Sequence, residues 1–385
     1  MKVDKNNLFS IKDFKAPTAV IVSYSKKERI LSILYRAAPL PIGLIPVYNK
    51  CMELITGEND SGRRLDRILR KALPDYPLPL IHRLLRQKLV LLNGKPGKAQ
   101  DHVENGVTIT ISSIGVSKNE NINKNEDKNT AAQTGKKEKN NRNILFTDSI
   151  LWQDSDLLAV NKPKGIAVHG QDSLETQVRS YLKEKILESL SFKCGPLHRL
   201  DKPTSGIVVF SKSLEGARLF SSLIQERKIK KTYLAIVEGI IEKEEIWQDE
   251  LFHDKRRKKT YIGGSHNGKN AVTNIYPLSS INGLSLIRAE IITGRTHQIR
   301  SQAASRKHPL AGDIKYRGRK FNKPAANGNE QTAINGKNKA DFYLHAWKLE
   351  FFKHTIIAPL PEDFLLMIKN IFGEAVIKLL PCGQR

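Results

Sequence analysis

The sequence predicts an α+β protein, with a large strand-rich domain behind a smaller module of two helices and a hairpin. Three observations carry that prediction. A continuous apolar run, Ile207 to Phe210, has the length and β-branching of a strand buried on both faces. Apolar residues at helical spacing, Ala217, Phe220, Leu223 and Ile224, follow it closely. Two polar tracts rich in Lys and Asn, 117–143 and 317–340, interrupt otherwise patterned sequence and mark a boundary and an insert.

Taken in order, residues 1–51 read as an N-terminal extension, either untranslated, with Met52 as the true start, or disordered. A compact unit then spans 62–113. Arg64 to Arg70 has helical apolar spacing, and after the Pro74–Pro79 link Leu80, Ile81, Leu84 and Leu85 give a second amphipathic helix. That helix carries Arg83 and Arg86, with Lys88 just beyond. Leu89 to Leu92, the Asn93-Gly94 turn and the alternating strand Val107 to Ile111 complete the unit. The tract 117–143 has Ile122 as its only large apolar residue, so it cannot offset chain entropy and reads as a disordered linker.

The second domain runs over 144–375. Asp156 to Val160 reads as a strand, Asn161 to Gly165 as a turn, Ile166 to Val168 as another strand and Thr176 to Leu190 as a helix. After the Ile207–Phe210 strand, Ser213 caps a helix through about Glu226. Lys230 to Gly239 is a strand with Tyr233, Ala235 and Val237 on one side. Leu284 to Ile292 is a strand running into Thr293-Gly294-Arg295-Thr296-His297-Gln298-Ile299-Arg300, where a helix starts. The tract 317–340 reads as a mobile insert, and Tyr343 to Phe352 as a late core strand.

Lys and Arg number 64 against 39 Asp and Glu in 385 residues, a formal charge of +25, which favours a polyanionic partner. A membrane role is disfavoured, because no apolar segment approaches the roughly 20 residues of a spanning helix and no signal peptide is evident. Cys51, Cys194 and Cys382 lack disulfide or zinc spacing, which gives a cytoplasmic setting and no metal. The basic run Lys255 to Lys259 reads equally as a solvated loop or a phosphate-contacting segment.

The chemistry concentrates in His198-Arg199-Leu200-Asp201-Lys202-Pro203-Thr204-Ser205-Gly206. Asp201 falls on a short loop at the mouth of the buried strand, between cations that favour its charged form. Taken by itself, an aspartate two residues before a proline reads more readily as a turn or capping residue than as a catalyst. The contiguous stretch, however, resembles the active-site motif of the RluA family of RNA pseudouridine synthases. Thr293 to Arg300 resembles a second family motif, and Lys162-Pro163, Gly268 to Thr273 and His308 to Asp313 with Tyr316 resemble others. Residues 62–113 resemble the small RNA-binding domain first seen in ribosomal protein S-four.

The resemblance implies the pseudouridine synthase fold, a mixed and largely antiparallel sheet with flanking helices. It implies isomerisation of uridine to pseudouridine in RNA without metal or cofactor. Asp201 would then be the catalytic carboxylate, as nucleophile or base. Arg295 would be its basic partner, and Tyr233, also catalytic, would stack on the uracil, its phenol able to assist proton removal from carbon 5. Arg199 would fill the space left by a flipped-out uridine, with His198 orienting or packing beside it. Arg83, Arg86 and Lys88 would contact phosphates and position the RNA. The S-four-like module leans toward large-subunit ribosomal RNA, with transfer RNA the alternative. From another class, a non-catalytic RNA-binding ribosome-assembly factor would not need Asp201, Tyr233 and Arg295 together. A nucleoside hydrolase or glycosylase would use a carboxylate without needing the RNA-binding module.

Overall fold

The computed structural model describes residues 51–112, 146–183, 189–263, 268–319, 342–378 and 380, together with the backbone of three earlier strands. It divides into two units, Met1–Gly135 with Ile186–Lys193, and Lys136–Lys185 with Cys194–Arg385. The tracts expected to be a linker (117–143) and a mobile insert (317–340) lie outside the described residues, apart from 317–319.

In the first unit, β1 (Leu8–Phe9), β2 (Val20–Ser25), β3 (Ile30–Tyr35) and β4 (Cys51–Ile55) precede β5 (Arg63–Arg64), α1 (Leu65–Ala72) and α2 (Leu78–Arg86). Then come β6 (Val90–Leu92), β7 (Lys95–Pro96), β8 (His102–Val103) and β9 (Thr108–Ser112). One sheet has the order β1-β2-β3-β4-β9-β6-β7, and β5 pairs with β8. Strands therefore occupy part of the stretch expected to be an unpacked extension; β3 pairs with β4 through Leu31, Ser32 and Ile33. The β6–β7 turn uses Asn93 and Gly94 at φ 46° and 80°, the left-handed pair a two-residue hairpin requires. Leu65, Ile68, Leu69, Ile81 and Ile109 form the core, and each buried side chain of this size contributes about 1.5–3 kcal/mol. The opposite faces of α1 and α2 expose Arg67, Arg70, Arg83 and Arg86, with Lys88 at the end of α2.

Ser189 to Phe192 belongs to the same unit. The buried Asp60 carboxylate accepts from Ser189 Oγ (2.7 Å), Leu190 N (2.9 Å) and Ser191 N (3.0 Å). This corrects the expected helix to Leu190: Leu190 and Ser191 give their N–H groups to a carboxylate instead of to a helix.

The second unit contains β10 (Ile150–Gln153), β11 (Leu157–Lys162), α3 (Leu174–Leu182), β12 (Gly195–Pro196), β13 (Ser205–Ser211) and α4 (Leu214–Gln225). It continues with β14 (Lys230–Glu238), β15 (Glu245–Asp254), β16 (Lys259–Ile262), β17 (Lys269–Ile281), β18 (Leu284–Ile291) and α5 (Gln298–Ser305). Last come β19 (Leu344–Phe351), β20 (His354–Ile357), α6 (Glu362–Phe372) and α7 (Glu374–Lys378). The sheet runs β10-β11-β13-β19-β14-β18-β17-β15-β16, with β12 on β13 and β20 on β19. Among the described residues only the β13–β19 pairing of this sheet is parallel, so the sheet is mixed and largely antiparallel, as expected for the pseudouridine synthase fold.

Strand β13 is buried from Ser205 to Ser211, and its Ile207 and Val209 share a core cluster with Phe220 and Leu223 of α4. Its entry needs Gly206, at φ +110°. A Cβ there would lie 2.2 Å from the Ala346 carbonyl oxygen of β19. Beside it Ser205 Oγ bonds His345 Nδ1 at 2.9 Å inside the core. The loop that ends at Gly206 is thus pinned to the sheet at its base.

Ile166 to Val168 is not the expected strand. The Ile166 carbonyl accepts from Lys162 Nζ, and those of Ala167 and Val168 accept the first N–H groups of α3. Helix α6, with Phe364, Met367 and Ile368 in the core, was not anticipated; Pro359 and Pro361 mask its start in the sequence.

Candidate active site

Four segments converge on Asp201. The first is its own loop, closed by Thr204 N–H donating to the Asp201 carbonyl at 3.0 Å. The second is the end of β11: Lys162 is fully buried and its ammonium donates to the carbonyls of Pro163 (2.9 Å), Ile166 (2.9 Å) and Lys202 (3.2 Å). Burial lowers its pKa to about 8, although the Asp201 charge pulls the other way. The third is β14, where Tyr233 is buried; burial and then the Asp201 charge raise its phenol pKa, which favours a neutral ring. The fourth is α5 with the turn before it and the loop after it.

The guanidinium on Asp201 is that of Arg300. Its Nη1 donates to Asp201 Oδ2 at 2.9 Å, while Nε and Nη2 donate to the two oxygens of Asp313 at 2.6 and 2.8 Å. Arg300 is 4% exposed and Asp313 fully buried, whereas Asp201 keeps 16% of its side chain open to solvent. The bidentate pair fixes the plane of the guanidinium, and the rings of Phe342 (4.5 Å) and Tyr316 (5.0 Å) flank it. Burial works against its charge, but Asp313 and then Asp201 outweigh that and raise its pKa.

This corrects the expectation for Arg295. Arg295 is exposed, and its Nε donates to the Asn270 carbonyl at 3.1 Å. The reason lies in the turn between the two arginines. His297 takes a left-handed conformation, φ 55° and ψ 26°, just before α5. Residues before that turn run along the surface, and the first turn of α5 points Arg300 inward.

His297 itself belongs to the site. Its Nε2 lies 3.5 Å from Asp201 Oδ2 and its Nδ1 lies 2.8 Å from the Tyr316 hydroxyl. Burial lowers its pKa to about 4, helped by Arg300, Lys315 and His253 and opposed by Asp201.

The remaining expected residues fall as follows. His198 accepts the Val209 N–H at Nε2 (3.1 Å) and stacks on Phe220, with burial and then Lys231 holding its pKa well below 6.5. One ring nitrogen is thus committed to the core, which fits packing and not phosphate contact. Arg199 is exposed beside Asp201. Arg83, Arg86 and Lys88 are exposed in the first unit. The basic run proves to be a hairpin tip: Lys255 to Lys258 are exposed between β15 and β16. Reasoning from sequence missed Arg300, Asp313, His297, Tyr316 and Lys162 as site residues, although each falls inside a motif that it singled out. The available signal was a lone cation in the run Gln298-Ile299-Arg300-Ser301-Gln302-Ala303, a helix with no charged face of its own.

The arrangement offers one partly exposed carboxylate, held at one oxygen by a buried cation and faced by a neutral phenol. It suits nucleophilic or base chemistry on a ring-shaped substrate.

Residues 156–305 match the family described as RNA pseudouridylate synthase. The chain is 30% identical over 295 residues to the ribosomal large subunit pseudouridine synthase C of Vibrio vulnificus, a match covering 76% of this chain and 86% of that one. It is 29% identical over 328 residues to the ribosomal large subunit pseudouridine synthase D of Nitrosomonas europaea, covering 83% of this chain and 88% of the relative. Among solved structures it is similar to human RNA pseudouridylate synthase domain containing 4, at 25% identity and a TM-score of 0.45, over 59% of this chain and 95% of that one.

Proposed function

The chain belongs to the RluA family of RNA pseudouridine synthases, and we propose that it isomerises uridines of large-subunit ribosomal RNA with Asp201 as the catalytic carboxylate. The observation that carries the reading is the Asp201–Arg300–Asp313 assembly at the mouth of β13. A binding protein gains nothing from a carboxylate kept open to solvent on a surface built to hold phosphates. The names of the relatives in Vibrio vulnificus and Nitrosomonas europaea support ribosomal RNA as substrate. A cytoplasmic setting is part of the same proposal.

In this reaction the C1′–N1 bond of a uridine breaks and a C1′–C5 bond forms; a proton leaves C5 and one is gained at N1. Atoms balance without any co-reactant. Asp201 either attacks the sugar or removes a sugar proton to start the cleavage. Tyr233 lies against the detached base as a neutral ring. Arg300 fixes the carboxylate, and Lys162 supplies a second buried positive charge near it. The target base is flipped out of its helix and Arg199 fills the gap. Arg83, Arg86 and Lys88 grip the backbone elsewhere on the RNA.

The test is an assay of the purified full chain on a transcript of large-subunit ribosomal RNA. Wild type forms pseudouridine, and Asp201→Asn forms none while still binding the transcript. Turnover by Asp201→Asn would refute the assignment.

A further inference from the structure

The two oxygens of Asp201 are not equivalent. Arg300 Nη1, at 2.9 Å, and His297 Nε2, at 3.5 Å, both approach Oδ2. Among the described residues no hydrogen bond reaches Oδ1. The imidazole facing Oδ2 is itself held from behind. Tyr316, buried after the loop that carries Asp313, places its hydroxyl 2.8 Å from His297 Nδ1. That hydroxyl oxygen already accepts the Thr260 backbone N–H at 2.8 Å. With one lone pair occupied by a donor, the hydroxyl proton is free to be given, and Nδ1 stands at hydrogen-bonding distance. An imidazole that accepts at Nδ1 carries its own proton on Nε2.

We propose that His297 and Tyr316 are positioning residues that fix an Nε2–H donor on Asp201 Oδ2, so that Oδ1 is the oxygen presented to the substrate. This deepens the proposed function and rests on it. The 3.5 Å approach is long for a hydrogen bond in the resting protein, and such contacts tighten when a substrate fills the site. Burial keeps the ring neutral, which retains the tautomer set by Tyr316 near neutral pH. The relay reaches the basic hairpin. Thr260, which supplies the N–H, is the second residue of β16, two positions after the last of the exposed cations, and its hydroxyl donates to the Thr296 carbonyl at 2.8 Å. The hairpin that carries Lys255 to Lys258 is therefore bonded to the turn that orients His297.

The tautomer can be read without any substrate, by ¹⁵N NMR of the full chain with labelled histidine. Wild-type His297 should show a protonated Nε2 and an unprotonated Nδ1, and Tyr316→Phe should shift it toward a mixture. A wild-type ring protonated on Nδ1 would overturn the proposal whatever the activity. On the ribosomal RNA transcript, Tyr316→Phe and His297→Ala should each lower kcat by roughly 10–100-fold with KM unchanged, the size expected for a misplaced reacting group. His297→Gln, which returns an N–H to the same region, should recover part of the loss. An unchanged kcat in Tyr316→Phe would also sink the idea. A wild-type chain inactive on every RNA tried would count against the proposed function, while the NMR result would still decide the tautomer.

Discussion

In the second unit two cations of the candidate site are buried and bonded: Arg300 is 4% exposed between two carboxylates, and Lys162 is fully buried among three carbonyls. In the first unit Arg67, Arg70, Arg83, Arg86 and Lys88 stand on the surface. Residues of one type thus meet two different physical situations. A buried guanidinium in a bidentate pair has one geometry and can hold a reacting carboxylate in place. An exposed one keeps its rotamer freedom and its water, and it suits a phosphate backbone whose path it need not dictate. Net charge registers both alike, and only burial and partners separate positioning from gripping.

The largest effect expected from this comparison lies at Arg300. Arg300→Met leaves Asp313 buried without its partner and Asp201 unsupported. The expected result is loss of nearly all turnover and about 3–5 kcal/mol of stability, read by denaturant unfolding of the full chain. Arg295→Met, five residues earlier and exposed, should change stability by about 0.5 kcal/mol or less. Similar losses in both variants would erase the distinction between buried and exposed arginines.

Acid should separate the two units next. His297 and His345 in the second unit have pKa values lowered to about 4, chiefly by burial, from an ordinary 6.5. The unfolded chain takes up protons below 6.5 that the folded chain refuses until about 4. Their contribution is whole above 6.5 and is lost as pH falls through that window, by a few kcal/mol in total. In the first unit Asp60 behaves differently. Burial pushes its pKa up, but hydrogen bonds from Ser191, Ser189, Gly57 and Leu190 outweigh that and hold it below 3.8. Hydrogen exchange near pH 5 should therefore show protection falling in the second unit before the first. The reverse order would contradict the burial argument.

The smallest effect is expected for the exposed set. Replacing Arg83, Arg86 and Lys88 together by Gln should weaken RNA binding and reduce the slope of log affinity against log salt by about 2–3. Turnover at saturating RNA should not change. A loss of kcat with the salt slope intact would mean that these side chains do something other than meet phosphates.

How far the sequence revealed this arrangement depended on whether a feature was local. Strand β13, helix α4 and strand β14 were legible because a continuous apolar run, an N-cap with helical spacing and a second continuous apolar run are written in consecutive residues. Asp201 was legible because its motif is contiguous. Arg300 was not, because the choice between it and Arg295 turns on the left-handed residue between them, a conformation that His297 adopts without any glycine to announce it. Asp313 and Tyr316 were noticed as a loop, but their role depends on contacts across 13 and 19 residues with Arg300 and His297. The helix from Thr176 was overextended for a similar reason: the Asp60 carboxylate that takes up the Leu190 and Ser191 N–H groups lies about 130 residues away in sequence.

The most direct test of the whole account is pseudouridine mapping of total RNA from a strain that lacks this gene, complemented with wild type or with Asp201→Asn. The account predicts that specific pseudouridines vanish from large-subunit ribosomal RNA, return with wild type and stay absent with Asp201→Asn. An unchanged map in the deletion strain, or one restored by Asp201→Asn, would contradict it.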